Sequence, residues 1–246
     1  TLTDDQLGAI ELPSAGVTGD AIALYTFGEG DGTMIHDVSG VGTPLDLFID
    51  DASAVSWMSG RGLTINGSTI AASATPATKV IDRCKASNEV TVEAWVRPAN
   101  DAQTGPARIV TLSEDTLLRN LTLAQDTGTY VSRFRTTETS LNGLPSLSAG
   151  AVGTAAPSHV VYTREAGGTA RMYVNGAAVG QMEVGGDLSN WDEGYYLALF
   201  NEFVSDRAWL GDIYLVAIYD RALSAAEVVQ NHENGELSAG LGVGQA

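Results

Sequence analysis

The run EVTVEAW holds Glu89 and Glu93 four positions apart, so both side chains fall on one face of an extended chain. Two carboxylates about 5 Å apart across a glycosidic bond are what a retaining hydrolysis requires. The three histidines, His36, His159 and His232, are scattered, and none stands in a metal-binding helix motif or near a nucleophile elbow. The loop GEGDG (28–32) has alternate glycines, but no helix follows whose first amides would face a phosphate. Calcium suits this region better. It takes roughly six to eight oxygens from carboxylates, carbonyls and water, and the acidic glycine loop with the turn Asp37-x-Ser39-Gly40 offers both kinds. The same residues also read as plain turn formers, because Asp closes turns through its own side chain.

Sugar recognition asks for an exposed aromatic platform beside planar polar groups. The loop Trp191-Asp192-Glu193-Gly194-Tyr195 offers Trp191 and Tyr195, and Trp57 and Tyr196 are further candidates. Trp191 reads equally well as a plug that closes its loop over the core. Trp95 and Trp209 fall in strand-like runs and are expected in the core. The lone cysteine, Cys84, belongs to no metal-spaced motif and has no partner for an intramolecular disulfide. It reads as a buried, inert thiol.

These groups must be positioned by many short strands. The run AIALYTF (21–27) is a buried strand that stops at the acidic glycine loop. Residues 34–38, 62–65, 108–112, 120–124, 130–136, 159–164, 195–200 and 209–219 follow as strands. In 89–98 the alternation is clear: Val90, Val92, Ala94 and Val96 on one face, Glu89, Thr91, Glu93, Trp95 and Arg97 on the other. Trp95 on the mostly polar face implies that both faces are partly covered. Asn175-Gly176 between 170–174 and 178–184 predicts a type I′ hairpin. One helix is predicted over 225–233, with Ser224 and Glu227 as a capping box and Asn234-Gly235 as its stop. The Ala/Ser/Thr-rich stretch 71–78 reads as a loop. The pattern predicts an all-β sandwich in one domain over 20–236, after a leading segment 1–19 and before a glycine-rich tail 237–246.

The chain has 246 residues and a net charge of −17, with eleven arginines and only two lysines. That field repels phosphate backbones and anionic bilayers, so neither nucleic acid nor an anionic membrane surface is an expected partner. A surface so acidic suits a salty or calcium-containing exterior, and is equally common in plain soluble proteins. No run approaches transmembrane length, and no signal-peptide pattern is visible.

Three segments in order resemble the laminin-G-like branch of the concanavalin A-like lectin/glucanase superfamily. They are LYTFGEGDGTMIHDVSGVG (24–42), VTVEAWVRPA (90–99), and HVVYTREAGGTARMYVNGAAVG (159–180) with WLGDIYLVAIYDRALSAAEV (209–228). The resemblance covers about residues 20–236. It implies a jelly roll of two antiparallel sheets with one short C-terminal helix outside them. It implies a structural Ca²⁺ where the first and last strands meet, with Asp212 as the closing-strand ligand and Asp20 or Asp37 completing the site. The catalytic Glu-x-Asp-x-x-Glu of the family's laminarinase-type members has no counterpart, and Glu93 matches its non-catalytic Glu-Ala-Trp.

Fold does not decide function. The first reading is a non-catalytic extracellular or cell-surface module, carbohydrate-binding or adhesive, with a glycan or surface protein as partner. The second is a structural or filament subunit that self-associates through open edges, with 1–18 and 238–246 as connecting arms. A glycan hydrolase using Glu89 and Glu93 ranks last.

Overall fold

The computed structural model describes residues 17–59 and 62–238. Most of the leading segment and the tail beyond Ser238 therefore lie outside the described residues, and with them most of both proposed arms. In chain order the strands are β1 (Ala23–Tyr25), β2 (Met34–Ile35), β3 (Leu47–Ile49), β4 (Val55–Trp57), β5 (Leu63–Ile65), β6 (Ala71–Ser73), β7 (Val90–Pro98) and β8 (Ala107–Ser113). They continue as β9 (Arg119–Asp126), β10 (Thr129–Phe134), β11 (Leu147–Ala151), β12 (Ser158–Arg164), β13 (Thr169–Val174), β14 (Ala177–Glu183), β15 (Tyr196–Leu199) and β16 (Gly211–Tyr219). Two helices accompany them, α1 (Thr78–Ser87) and α2 (Ala225–Ser238).

The strands make two eight-stranded antiparallel sheets. The first runs β14-β13-β12-β7-β16-β5-β4, with β1 also paired to β16. The second runs β11-β10-β9-β8-β15-β6-β3-β2. Val92, Ala94 and Val96 of β7 share one large buried cluster with Leu121 and Leu123 of β9 and Leu197 and Leu199 of β15. This packing of two inner faces is the sandwich core. Trp209 is completely buried in it. The predicted hairpin is present: Asn175 and Gly176 have φ of 51° and 75° between β13 and β14, the left-handed values that a type I′ turn needs.

The other face of β7 is covered, as Trp95 implied. Trp95, Val161, Tyr173, Leu215, Ala217, Tyr219, Leu223 and Val228 form a second buried cluster, in which Val228 is contributed by α2. The capping box starts that helix: Glu227 N–H donates to Ser224 Oγ at 3.3 Å and Ser224 N–H donates to Glu227 Oε2 at 2.8 Å. The helix does not stop at Asn234-Gly235 as expected. A Cβ on Gly235 would lie 2.2 Å from the Trp95 ring, so Gly235 is the residue that lets the helix continue across the indole.

The sequence-based expectation of one helix is corrected to two α-helices among the described residues. Helix α1 follows the Ala/Ser/Thr-rich stretch, part of which is itself strand β6, and buries Val80, Ile81 and Cys84. Burial pushes the Cys84 thiol far above its ordinary pKa, which leaves it an inert core group.

Candidate functional site

A cleft of about 360 Å³ opens where β8, β15 and the loop before β15 meet. It is built on the outer face of the second sheet. Leu197 and Leu199 of β15 point into the core, so alternation sends Tyr196 outward, directly opposite Ser113 of β8. Tyr196 meets Phe203 edge-on, with ring centroids 6.0 Å apart. Tyr195, Gly194, Asp192 and Glu114 complete the lining.

Each part is held from outside the cleft. The loop 191–195 is fixed by Trp191, which is 2% exposed, packs on Phe134 with centroids 5.4 Å apart, and donates from Nε1 to the Arg135 carbonyl at 2.7 Å. Asn120, fully buried on β9, takes both backbone groups of Asp192. Helix α1 supports the loop from the other side: Ala77 N–H donates to the Tyr195 carbonyl at 2.9 Å, and Lys85 reaches Glu193 at 2.7 Å. Burial raises the Tyr195 phenol above its ordinary pKa, and the carboxylates of Asp192 and Glu114 raise it further against the Arg135 guanidinium.

Phe203 stands on a buried charge network. Glu202 is fully buried. Its Oε1 accepts from Ser113 Oγ at 2.5 Å, and its Oε2 accepts from Arg108 Nε at 3.1 Å. Arg119 Nη1 lies 3.8 Å from the same oxygen. Arg119 Nη1 also donates to Thr122 Oγ1 at 2.9 Å. Arg108 and Arg119 are both completely buried, and burial lowers both guanidinium pKa values, that of Arg119 to about 9.

The sequence-predicted residues divide by place. Tyr195 and Tyr196 both border the cleft, but Tyr195 is only 5% exposed, so Tyr196 is the one whose ring is presented there. Trp191 does not offer a platform, because its ring is buried against Phe134; it is the loop plug. Trp57 stands on β4 in the first sheet, partly buried, with Nε1 donating to the Gly32 carbonyl at 3.0 Å. It is therefore not joined with Tyr195 in one platform. Ser113, Glu114, Glu202 and Phe203 were not anticipated. Of these only Ser113 carried a signal in the sequence, as a polar residue two positions after Thr111 in the apolar run of β8.

The three aspartates expected to hold calcium each hold a cation of this chain instead. Asp20 faces Arg221 at 3.1 Å. Asp37 binds Lys79 and accepts the backbone N–H groups of Leu24, Ser39 and Leu45. Burial opposes its ionisation, but these donors outweigh burial and hold its carboxyl below the usual range. Asp212 accepts from Arg97 Nε at 2.8 Å and from Thr64 Oγ1 at 2.7 Å. Among the described residues, no group of three or more His, Cys, Asp or Glu side chains converges as metal ligands do. A set of carboxylates already paired in this way does not fit a calcium ion.

Glu93 and Glu89 have structural partners. Glu93 is 1% exposed beneath α2 and accepts from His159 Nε2 at 2.8 Å, Tyr219 Oη at 2.8 Å and Asn231 Nδ2 at 2.9 Å. Burial by itself raises a carboxyl pKa, but these donors prevail and lower that of Glu93. Glu89 accepts the backbone N–H groups of Ala166 and Ala222. His232 stacks on Trp95, centroids 5.6 Å apart, and His36 meets Asp46 at 3.4 Å.

Solved structures share the fold at low identity. A sialidase of Trypanosoma rangeli, in complex with 2,3-difluoro-KDN, has 15% identity and a TM-score of 0.65 over 96% of this chain. The binding domain of botulinum neurotoxin serotype C1 has 12% identity and a TM-score of 0.62 over 88% of this chain. The ligand-binding domain of serotype D, in complex with N-acetylneuraminic acid, has 13% identity and a TM-score of 0.59 over 89%. This chain spans 38% of the sialidase and 52% of each toxin domain. No curated protein matches it in sequence. A laminin-G family model matches residues 66–229, more than half of the chain. With two antiparallel sheets, an outer C-terminal helix and that match, the chain belongs to the concanavalin A-like lectin/glucanases superfamily.

Proposed function

We propose that this domain is a non-catalytic glycan-binding module of the extracellular space or cell surface, and that it binds through the cleft at Tyr196 and Phe203. The observation that carries this reading is the lining itself. An edge-on aromatic pair, Tyr196 and Phe203, stands beside two exposed carboxylates, Glu114 and Asp192. Aromatic faces cover the C–H face of a pyranose, and carboxylates accept its hydroxyl donors in strong charge-assisted bonds. The fold shared with a toxin domain solved with N-acetylneuraminic acid is consistent with this reading. The non-catalytic part rests on Glu89 and Glu93, whose oxygens are occupied by structural partners. The reading requires no calcium.

A polysaccharide and glycan array with the whole chain tests it. Binding is expected, and Tyr196→Ala with Phe203→Ala should weaken it roughly tenfold or more while the fold is kept. An array without hits, or hits indifferent to both substitutions, would overturn the assignment.

A second reading, self-association, is favoured by β14, an edge strand whose residues are mostly exposed. It expects a concentration-dependent sedimentation coefficient, and a monomer at all concentrations would exclude it.

A further inference from the structure

Resting on the glycan-binding reading, we propose that the cleft selects sugars without an acidic group, uncharged or amine-bearing, and rejects carboxylated ones such as sialic and uronic acids. The charges around the cleft carry this inference. Glu114 and Asp192 both line it and both are exposed. No lysine or arginine is among the lining residues. A carboxylated sugar would therefore meet two like charges and no counter-charge.

The nearby cations do not change that balance. Arg108 and Arg119 lie under the cleft wall, but both are completely buried and face Glu202. Glu202 also holds Ser113 of the lining, and neither guanidinium is itself among the lining residues. Arg135 approaches Tyr195, with Nη1 3.5 Å from the phenol oxygen and its guanidinium carbon 6.0 Å from the ring centroid. It is one cation against two carboxylates and is not among the lining residues. Lys85 is taken by Glu193. The net charge of −17 adds long-range repulsion of the same sign. The same carboxylates accept vicinal hydroxyls of an uncharged sugar, and they attract an ammonium.

The two toxin-fold neighbours do not bear on the choice, because at 12–13% identity they share only the fold. Selectivity is set by the groups that line this cleft.

Matched probes test the proposal: glucose-terminated against glucuronate-terminated glycans, galactose-terminated against sialylated ones, and glucosamine as the amine. Affinities are measured with the whole chain at low and high salt. The acidic member of each pair should bind roughly tenfold or more weakly, and high salt should narrow the gap. Glu114→Gln with Asp192→Asn should close it. Asn at 192 keeps the acceptor that Gly194 N–H uses, so the loop is retained. Equal or tighter binding of the acidic members would overturn the proposal and leave the glycan-binding reading standing. Absence of binding by every probe would remove the glycan-binding reading and this inference with it.

Discussion

The side-chain amide of Asn120 pairs with both backbone groups of Asp192. Its Nδ2 donates to the Asp192 carbonyl at 2.9 Å, and its Oδ1 accepts the Asp192 N–H at 2.9 Å. A residue in the middle of a sheet thus fixes the backbone of a loop 72 positions away, at the point where that loop turns a carboxylate toward the cleft.

Asn120→Ala removes both bonds and leaves two backbone groups without their partner. The expected loss is about 1–3 kcal/mol of stability, read by urea denaturation, together with weaker glycan binding. A variant with unchanged affinity would show that the clamp does not position the cleft.

Glu202→Gln keeps the shape of the side chain but leaves Arg108 and Arg119 without a counter-charge in a dry site. Breaking a buried pair by removing one partner costs about 3–5 kcal/mol. Chemical denaturation checks this. A loss below about 1 kcal/mol would mean that water reaches the two guanidiniums.

Acid stability reports on Glu93. Its folded pKa lies below the ordinary value because the donors around it outweigh burial. The stabilisation is therefore fully present above the unfolded pKa of about 4.3 and disappears as pH falls through the lower folded value. Glu93→Gln should cost about 1–3 kcal/mol at pH 7 and flatten the decline of melting temperature below about pH 4. A variant with the same acid limb as the parent would locate the acid sensitivity elsewhere, with Asp37, which is also lowered, the first place to look.

Chelation is expected to leave the melting temperature unchanged. A calcium ion at Asp20, Asp37 or Asp212 would have to displace Arg221, Lys79 or Arg97. A fall of several degrees on adding a chelator, reversed by calcium, would show that the ion binds and stabilises the fold.

Local features were legible in the sequence. The alternation in 89–98, the Asn175-Gly176 turn and the Ser224–Glu227 box each depend on neighbours a few residues apart, and all three appear as read. Helix α1 was missed because its N-cap, Ala77, makes no side-chain cap bond, and because its buried face is only Val80, Ile81 and Cys84. The end of α2 was misplaced because Asn-Gly is a local stop signal, overruled by a distant indole. The cleft was half legible. Tyr195 and Tyr196 could be picked out by type. Glu202 and its arginines could not, because the Arg108–Glu202 pair alone spans 94 positions and the network depends on which strands become neighbours.

That charge network also decides when the cleft takes its form. Phe203 follows directly on a carboxylate fixed by Ser113 and Arg108, so the aromatic wall is ordered as the chain folds rather than as a ligand arrives. A preorganised wall spares the binding step the entropy of fixing a loop. Association at this cleft should then be limited by encounter rather than by a closing motion, and the free and bound forms should superpose closely around Phe203.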